Sequence, residues 1–357
     1  MRQITASAKH PFSRCLYRPI VIFLVAAFFF FPNVAISDDN VGPSLKNQIR
    51  LGSFNIEKLG KNNPYQAQNA AIILKNYDIV AIQEVMNTGA TAKNPIGTKG
   101  IEALKRIVAF LGPDWDYVVS PTPNGTLSAQ ESKAFNTFEY YAFIYRKSKL
   151  ELIPNSAHLW DEAKNPMPGL KDQKRQFDRQ PFIASFRAKG GNLDFTLITI
   201  HAAQPAAKWR KDEIKRLKIV YEKVQDEDPK QNDVFLLGDF NTNVDKSEWD
   251  DLKSIPTMRH ILTPNDVTTI NKTTGELSDS QYDTIWYQGK YSDEDVVSDS
   301  AQVDQAWKDS LKFPNVKPTI EAKDNDNKLI WLYGRYASDH LPITVILWSN
   351  KDTDRIK

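Results

Sequence analysis

The feature of this 357-residue chain that most constrains its fold is the alternation of short apolar runs with longer amphipathic stretches. Apolar runs bounded by turn residues predict buried strands, and apolar residues three or four positions apart predict helices. Because no regular strand–helix–strand repeat is present, we expect an α/β fold of packed β-sheets flanked by helices. Strands are predicted at residues 50–56, 78–83, 140–145, 182–187, 193–200, 233–237, 283–286 and 342–347, and helices at residues 67–76, 100–111 and 208–224.

Polar residues form five short motifs, most of them at the ends of predicted strands. A buried strand is rigid, so it holds a polar side chain at its end in one position. An unpaired buried carboxylate is costly, so each such residue needs a partner or a ligand. Any one of these residues alone is more often a cap, a surface charge or a packed histidine, but together they predict an active site. The motifs are Ser53-Phe54-Asn55-Ile56, Ile82-Gln83-Glu84, Thr199-Ile200-His201, Leu237-Gly238-Asp239-Phe240-Asn241 and Ser338-Asp339-His340-Leu341-Pro342.

The residue types in these motifs indicate two kinds of chemistry. His201 and His340 can serve as general acid and general base near neutral pH. Carboxylate and amide oxygens form a hard donor set that suits Mg²⁺ or Mn²⁺. The oxygen donors are Asn55, Glu84, Asp239, Asn241 and Asp339.

The first 37 residues differ in composition from the rest of the chain. They carry four basic residues and no acid, then an apolar run at residues 19–31 and small residues at 35–37. This order is typical of a secretory signal peptide, and the run is shorter than the ~20 residues of a membrane span. We therefore expect a secreted or periplasmic protein without a stable membrane partner after cleavage; an uncleaved signal anchor is the alternative.

The charge of the chain depends on this N-terminal segment. Removing its four basic residues from the total of 46 leaves 42 against 44 acidic residues, so the formal charge changes from +2 to −2. The single cysteine, Cys15, also lies there, which excludes an intramolecular disulfide and a cysteine zinc site. A polyanionic substrate would therefore have to be held by a local site.

The rest of the chain contains no repeat and no linker that would divide it. Residues 38–48 are polar and indicate a flexible lead-in, and residues 49–350 indicate a single domain. Residues 289–327 are polar and charge-rich, which predicts a surface insertion or a small subdomain with a helix near residues 303–311.

The motifs resemble those of the endonuclease/exonuclease/phosphatase superfamily, in the order in which that family has them. Three further segments resemble segments of its deoxyribonuclease I-like group. Two residues before Glu139, where nucleases of the family often carry a tyrosine, this chain has Thr137. The resemblance implies a four-layer αββα sandwich of two packed β-sheets. The further segments are Phe138-Glu139-Tyr140-Tyr141, Arg179-Gln180-Pro181-Phe182 and Gln281-Tyr282-Asp283-Thr284-Ile285.

This resemblance also implies roles for individual residues. A divalent Mg²⁺ or Mn²⁺ would be held by Glu84, with Asn55 and Asp339, and a structural Ca²⁺ is a further expectation. Arg179 would bind a substrate phosphate. His340, partnered by Asp283, would be the general base, and His201, partnered by Glu139, would be the general acid. Asp239 and Asn241 would orient the water or the phosphate, and the roles of Asp239 and His340 could be exchanged.

We therefore expect an exported, monomeric hydrolase that cleaves phosphodiester bonds in DNA or RNA, with DNA favoured as the substrate. Two alternatives remain open. The same motifs would serve a secreted sphingomyelinase-like enzyme or another phosphoester hydrolase of the superfamily. A binding protein with a catalytically dead site on this fold is the alternative from a different class.

Overall fold

The computed structural model describes residues 46–61, 63–91, 93–125, 134, 137–167, 175–204, 209–227, 232–314 and 326–351. All of them belong to the second of two units, Asp39–Lys357. The predicted signal peptide at residues 1–37 and most of the predicted lead-in lie outside the described residues. Gln48 already belongs to the first strand.

The strands of the described residues, numbered in chain order, form two large sheets and one short pair. They are β1 (Gln48–Leu59), β2 (Ile79–Met86), β3 (Trp115–Val119), β4 (Glu139–Arg146), β5 (Leu150–Leu152), β6 (His158–Leu159), β7 (Phe182–Ala188), β8 (Asp194–His201), β9 (Val234–Asp239), β10 (Met258–His260), β11 (Ile270–Asn271), β12 (Glu276–Leu277), β13 (Asp283–Gln288), β14 (Gln302–Val303) and β15 (Ile343–Trp348).

The helices of the described residues lie between these strands in the chain. They are α1 (Gln66–Leu74), α2 (Lys99–Leu111), α3 (Arg210–Glu227), α4 (Asp250–Lys253), α5 (Gly289–Ser292) and α6 (Asp326–Tyr336), with 3₁₀ helices at Ser247–Trp249 and Ala306–Lys312. Among the described residues, none of the helices combines the length and the apolar character that a membrane span requires.

Each large sheet contains one central pair of parallel strands. The first sheet has the order β14-β15-β1-β2-β4-β3, in which β1 and β2 are parallel. The second has the order β10-β13-β9-β8-β7-β5, with β8 and β9 parallel and β6 paired to β7. Parallel strands end at the same edge of a sheet, so polar residues that follow them are brought together.

Aromatic side chains fill the space between the two sheets. Phe143 of β4 stacks on Phe182 of β7 with 5.3 Å between ring centroids, and it meets the edge of Phe186 at 5.7 Å. The aromatic contacts continue through Phe195 to Phe235 in the second sheet. These fully buried rings join the two sheets into one core.

Helices cover the outer faces of both sheets. On the first sheet, α1, α2 and α6 pack over the apolar residues of β1 and β2. On the second sheet, α3 and α4 cover β8 and β9. The layers are therefore helix, sheet, sheet and helix, and the predicted fold class is confirmed.

The described part of residues 289–327 takes part in this architecture in a way that the sequence did not indicate. Val303 of β14 pairs with Ile343 at the edge of the first sheet. The helix predicted near residues 303–311 is the 3₁₀ helix Ala306–Lys312, which buries Trp307 in the core of the first sheet. Residues 315–325 lie outside the described part of the chain, and α6 begins directly after them.

Candidate active site

The ends of the parallel strands place the predicted polar residues at one edge of the sandwich. Asn55 pairs with Gln83 at the point where the regular β1–β2 register ends, and His201 and Asp239 end β8 and β9 opposite one another. Asp283 begins the antiparallel strand β13 directly opposite Asp239. The structure therefore brings residues from both sheets to one position.

Buried hydrogen bonds between the sheets fix this edge. Asn55 Nδ2 donates to Asp239 Oδ2 over 3.0 Å. Gln83 Nε2 donates to Thr199 Oγ1 over 2.9 Å. Because a buried polar group without a partner is costly, these bonds favour a single alignment of the two sheets.

Asp239 lies at the centre of the site. Its Oδ2 is 3.5 Å from His201 Nε2 and 3.6 Å from His340 Nε2, and the residue is 1% exposed. Its Oδ1 accepts a hydrogen bond of 2.9 Å from the backbone N–H of Asn241. Both imidazoles therefore converge on a single carboxylate.

His340 forms the first histidine–carboxylate pair. Its Nδ1 lies 2.8 Å from Asp283 Oδ2, which orients the ring so that Nε2 points toward Asp239. Burial alone would lower the pKa of His340, but the Asp283 and Asp239 carboxylates outweigh burial and raise it well above its ordinary value. Burial raises the pKa of the Asp283 carboxyl to about 6.

His201 forms the second pair, which is backed by an arginine. Its Nδ1 lies 2.8 Å from Glu139 Oε2, and the other carboxylate oxygen of Glu139 forms an ion pair with Arg179 Nε. Burial opposes the charge on Glu139, but Arg179 and His201 outweigh it and lower the pKa of Glu139. Burial also opposes the charge on His201, and Glu139 outweighs it and raises the pKa of His201.

The structure gives Arg179 a role that the sequence did not predict. Its side chain is 8% exposed and lies behind the Glu139–His201 pair, with Asp178 Oδ2 3.6 Å from Nη1. Nη1 also donates to the backbone oxygen of His201 over 3.3 Å. Arg179 thus orients the histidine pair, and its contact with a substrate phosphate stays a prediction.

The predicted metal-binding residues lie beside this centre. Glu84, at a positive φ of 60° where the β2–β4 register shifts, accepts hydrogen bonds from Asn55 Nδ2 over 3.0 Å and from the backbone N–H of Lys58 over 2.8 Å. Asp339 Oδ2 lies 3.3 Å from Lys272 Nζ, and Lys272 also pairs with Glu57. The structure thus brings Asn55 and Glu84 into contact, whereas Asp339 forms an ion pair with Lys272.

The donor chemistry of the site fits a hard divalent cation. Carboxylate and amide oxygens of Glu84, Asn55 and Asp339 are the ligands that Mg²⁺ and Mn²⁺ prefer. A second group, Asp239, Asp283 and His340, presents ligand atoms within 4.8 Å of one another. Asn55 connects the two groups because its Nδ2 contacts both Glu84 and Asp239.

A buried carboxylate that was not predicted from the sequence lies next to the site. Glu213 of α3 is fully buried and accepts backbone hydrogen bonds from Asp178 over 2.8 Å and from Ala203 over 2.7 Å. Burial raises its pKa to about 7. The signal was available, because Glu213 shares the helix face of the buried residues Leu217 and Tyr221, four and eight positions later.

Replacing Glu139 with glutamine is expected to lower the pKa of His201. The substitution removes the carboxylate that raises this pKa and leaves the positive charge of Arg179, which lowers it. Histidine chemical shifts followed by NMR across a pH titration would measure the change. Glu102→Gln, an exposed site on α2, is the matched control. An unchanged His201 titration in Glu139→Gln would contradict the assigned pair.

A two-sheet sandwich with two histidine–carboxylate pairs that meet at one buried aspartate has the chemical groups of a phosphoester hydrolase. Residues 52–293 match the Endonuclease/Exonuclease/phosphatase family, and the chain belongs to that family. The resemblance noted from the motifs is therefore confirmed.

Relatives from bacteria and mammals are similar to this chain over much of its length. A deoxyribonuclease of Thioalkalivibrio sp. (strain K90mix) is 26% identical over 237 residues, which are 65% of this chain and 54% of the relative, so the match spans about half of that relative. Deoxyribonuclease-1 of Homo sapiens is 27% identical over 308 residues, 84% of this chain and 92% of the human protein. These similarities support the deoxyribonuclease I-like group and a hydrolase that acts on phosphodiesters.

Solved structures with this fold include a mannosyl-6-phosphatase of Bacteroides thetaiotaomicron. It has a TM-score of 0.54 and 16% sequence identity, and the match covers 84% of this chain and 99% of that chain. At this level of identity, the similarity shows that the two proteins share a fold.

Proposed function

We propose that the protein is an exported, divalent-metal-dependent nuclease that hydrolyses phosphodiester bonds in DNA. The observation that carries this proposal is the convergence of His201 Nε2 and His340 Nε2 on Asp239 Oδ2, each imidazole being backed by its own buried carboxylate. The similarity to deoxyribonucleases supports DNA as the substrate. Export rests on residues 1–37, whose composition is that of a signal peptide.

The two raised histidine pKa values favour one assignment of the proton transfers. Both imidazoles are held toward the protonated form, so Asp239 between them is the group suited to accept a proton from the attacking water. This is the exchange of roles between Asp239 and His340 that the sequence left open. Asn55 and the backbone N–H of Asn241 donate hydrogen bonds to Asp239 and hold it in place.

The two histidines then act on different atoms of the substrate. Protonated His201, oriented by Glu139, donates a proton to the leaving oxygen. Protonated His340, oriented by Asp283, neutralises charge that develops on the phosphate oxygens. Glu84, Asn55 and Asp339 are the residues that would hold a divalent ion, and such an ion supplies Lewis-acid stabilisation of the phosphate charge.

A substrate panel in one buffer tests this proposal. Plasmid DNA, RNA, sphingomyelin and bis(4-nitrophenyl) phosphate would be incubated with the purified full chain, first in EDTA and then after addition of excess Mg²⁺ or Mn²⁺. We expect no turnover in the chelator, restored turnover with the metal, and DNA as the preferred natural substrate.

Each departure from this result contradicts a different part of the proposal. Full activity in EDTA would reject the role of the metal. Preferred hydrolysis of sphingomyelin would assign a lipid phosphodiesterase. Absence of turnover on all substrates, together with no binding of Mn²⁺ by the purified protein, would indicate a binding protein on this fold.

A further inference from the structure

A cavity of about 360 Å³ opens next to the active-site edge, between the segment that follows Asn55 and helix α6. Lys272 lines this cavity and connects it to the site, because its Nζ lies 3.3 Å from Asp339 Oδ2. The other lining residues that matter here are Glu57, Lys58, Lys61, Trp331 and Arg335.

An unusual backbone conformation forms one wall of the cavity. Glu57 and Lys58 have positive φ angles of 51° and 54°, where the register between β1 and β2 shifts. For residues other than glycine such conformations are strained, and they cluster at functional sites. Here the carboxylate of Glu57 pairs with Lys272, and the backbone N–H of Lys58 donates to Glu84, so the second contact ties the wall to a predicted metal residue.

The charge of the cavity suits an anion. Four cationic side chains line it, and Glu57 is the one carboxylate among the described lining residues. Glu57 pairs with both Lys272 and Lys58, and Asp339 pairs with Lys272, so these two carboxylates offset two of the four cationic side chains. Lys58, Lys61 and Arg335 are exposed at the opening, and they give the cavity a net positive charge.

The cavity also offers planar groups. Trp331 is half-buried in its wall, and the Arg335 guanidinium lies 5.3 Å from the centroid of the Trp331 indole. Nucleic-acid bases stack on aromatic rings and on arginine planes, and their phosphates pair with lysine and arginine. A phosphate monoester or a choline headgroup would use only part of this set.

We propose that the cavity is a subsite for a neighbouring nucleotide of a single-stranded nucleic-acid substrate, with its phosphate on Lys61 and Arg335 and its base against Trp331. The inference rests on the proposed nuclease function and adds the substrate feature recognised beside the reacting phosphate. Such a subsite would give the enzyme a lower KM for a polymer than for a small diester that lacks the second nucleotide.

The test compares Trp331→Ala and Arg335→Gln with wild type and with Arg106→Gln, an exposed arginine of α2 outside the cavity. We expect KM for a short single-stranded oligonucleotide to rise about tenfold in Trp331→Ala, because loss of one stacked base has that order of effect, and to rise in Arg335→Gln through loss of a phosphate contact. Turnover of bis(4-nitrophenyl) phosphate should stay within about twofold of wild type, and Arg106→Gln should leave both substrates unchanged. Trp331→Phe keeps an aromatic face and should recover most of the loss.

Binding in EDTA separates this subsite from the catalytic proposal. Anisotropy of a fluorescein-labelled oligonucleotide should show weaker binding by Trp331→Ala, and Arg335→Gln should reduce the slope of log affinity against log salt by about 0.7. If wild type binds the oligonucleotide but cleaves none, the nuclease proposal fails and the subsite stands. If wild type cleaves DNA and the cavity variants match it, the subsite is overturned, and it is equally overturned if they lose activity on both substrates together.

Discussion

Replacing His340 with alanine is expected to lower kcat on a phosphodiester substrate by about 10²–10⁴-fold, the usual contribution of a positioned acid–base group. The substitution removes the imidazole whose Nε2 faces Asp239 and leaves Asp283 buried without its partner. Initial rates on bis(4-nitrophenyl) phosphate, with circular dichroism to verify folding, would measure the effect.

His158→Ala is the matched control for this variant. His158 is exposed on β6, where its Nδ1 contacts the backbone oxygen of Ser156. Its removal should leave kcat unchanged. If the His340 variant retains activity within a few-fold of wild type while folded, the catalytic assignment is wrong.

Replacing Asp239 with asparagine is expected to cause a loss of similar size and to alter both histidines at once. Asn has nearly the same shape but cannot accept the proton from water. The Asp239 charge contributes to the raised pKa of His201 and of His340, so both pKa values should fall in the variant. Turnover assays and an NMR titration of the histidines would measure the two effects separately.

Asp245→Asn, in the exposed loop after β9, should change neither turnover nor the histidine titrations. A variant at Asp239 that loses activity while both histidines titrate as in wild type would contradict the shared electrostatic centre. If the pKa of only one of the two histidines falls, Asp239 interacts with one histidine–carboxylate pair rather than with both.

Much of the fold could be predicted from the sequence, because the central strands are encoded locally. The residues 193–200 and 233–237 are apolar runs that become β8 and β9, and the polar residues that follow them become His201 and Asp239 at a common edge. The physical reason is that apolar residues form buried strands, and that the parallel pairing of β8 and β9 places the ends of both strands at the same edge of the sheet.

The parts that were missed depend on contacts between distant segments. Lys272 belongs to a short turn and carries no local signal, yet its ammonium pairs with Glu57, 215 residues earlier in the chain. Helix α6 is a short amphipathic segment that was not predicted, and its residues Leu329, Ile330 and Tyr333 pack in one core with Trp307 of the 3₁₀ helix Ala306–Lys312. Arg179 is a third case, because its burial behind His201 follows from tertiary packing.

The hydrogen bond between Asn55 and Asp239 has a consequence for when the molecule acquires its chemistry. Asn55 and Glu139 come from one sheet, His201 and Asp239 from the other, and His340 lies just before β15 of the first sheet. No half of the molecule contains a complete catalytic set. The proposed catalytic groups therefore come together only when the two sheets pack on each other, so activity and the packing of the sandwich should appear and disappear together.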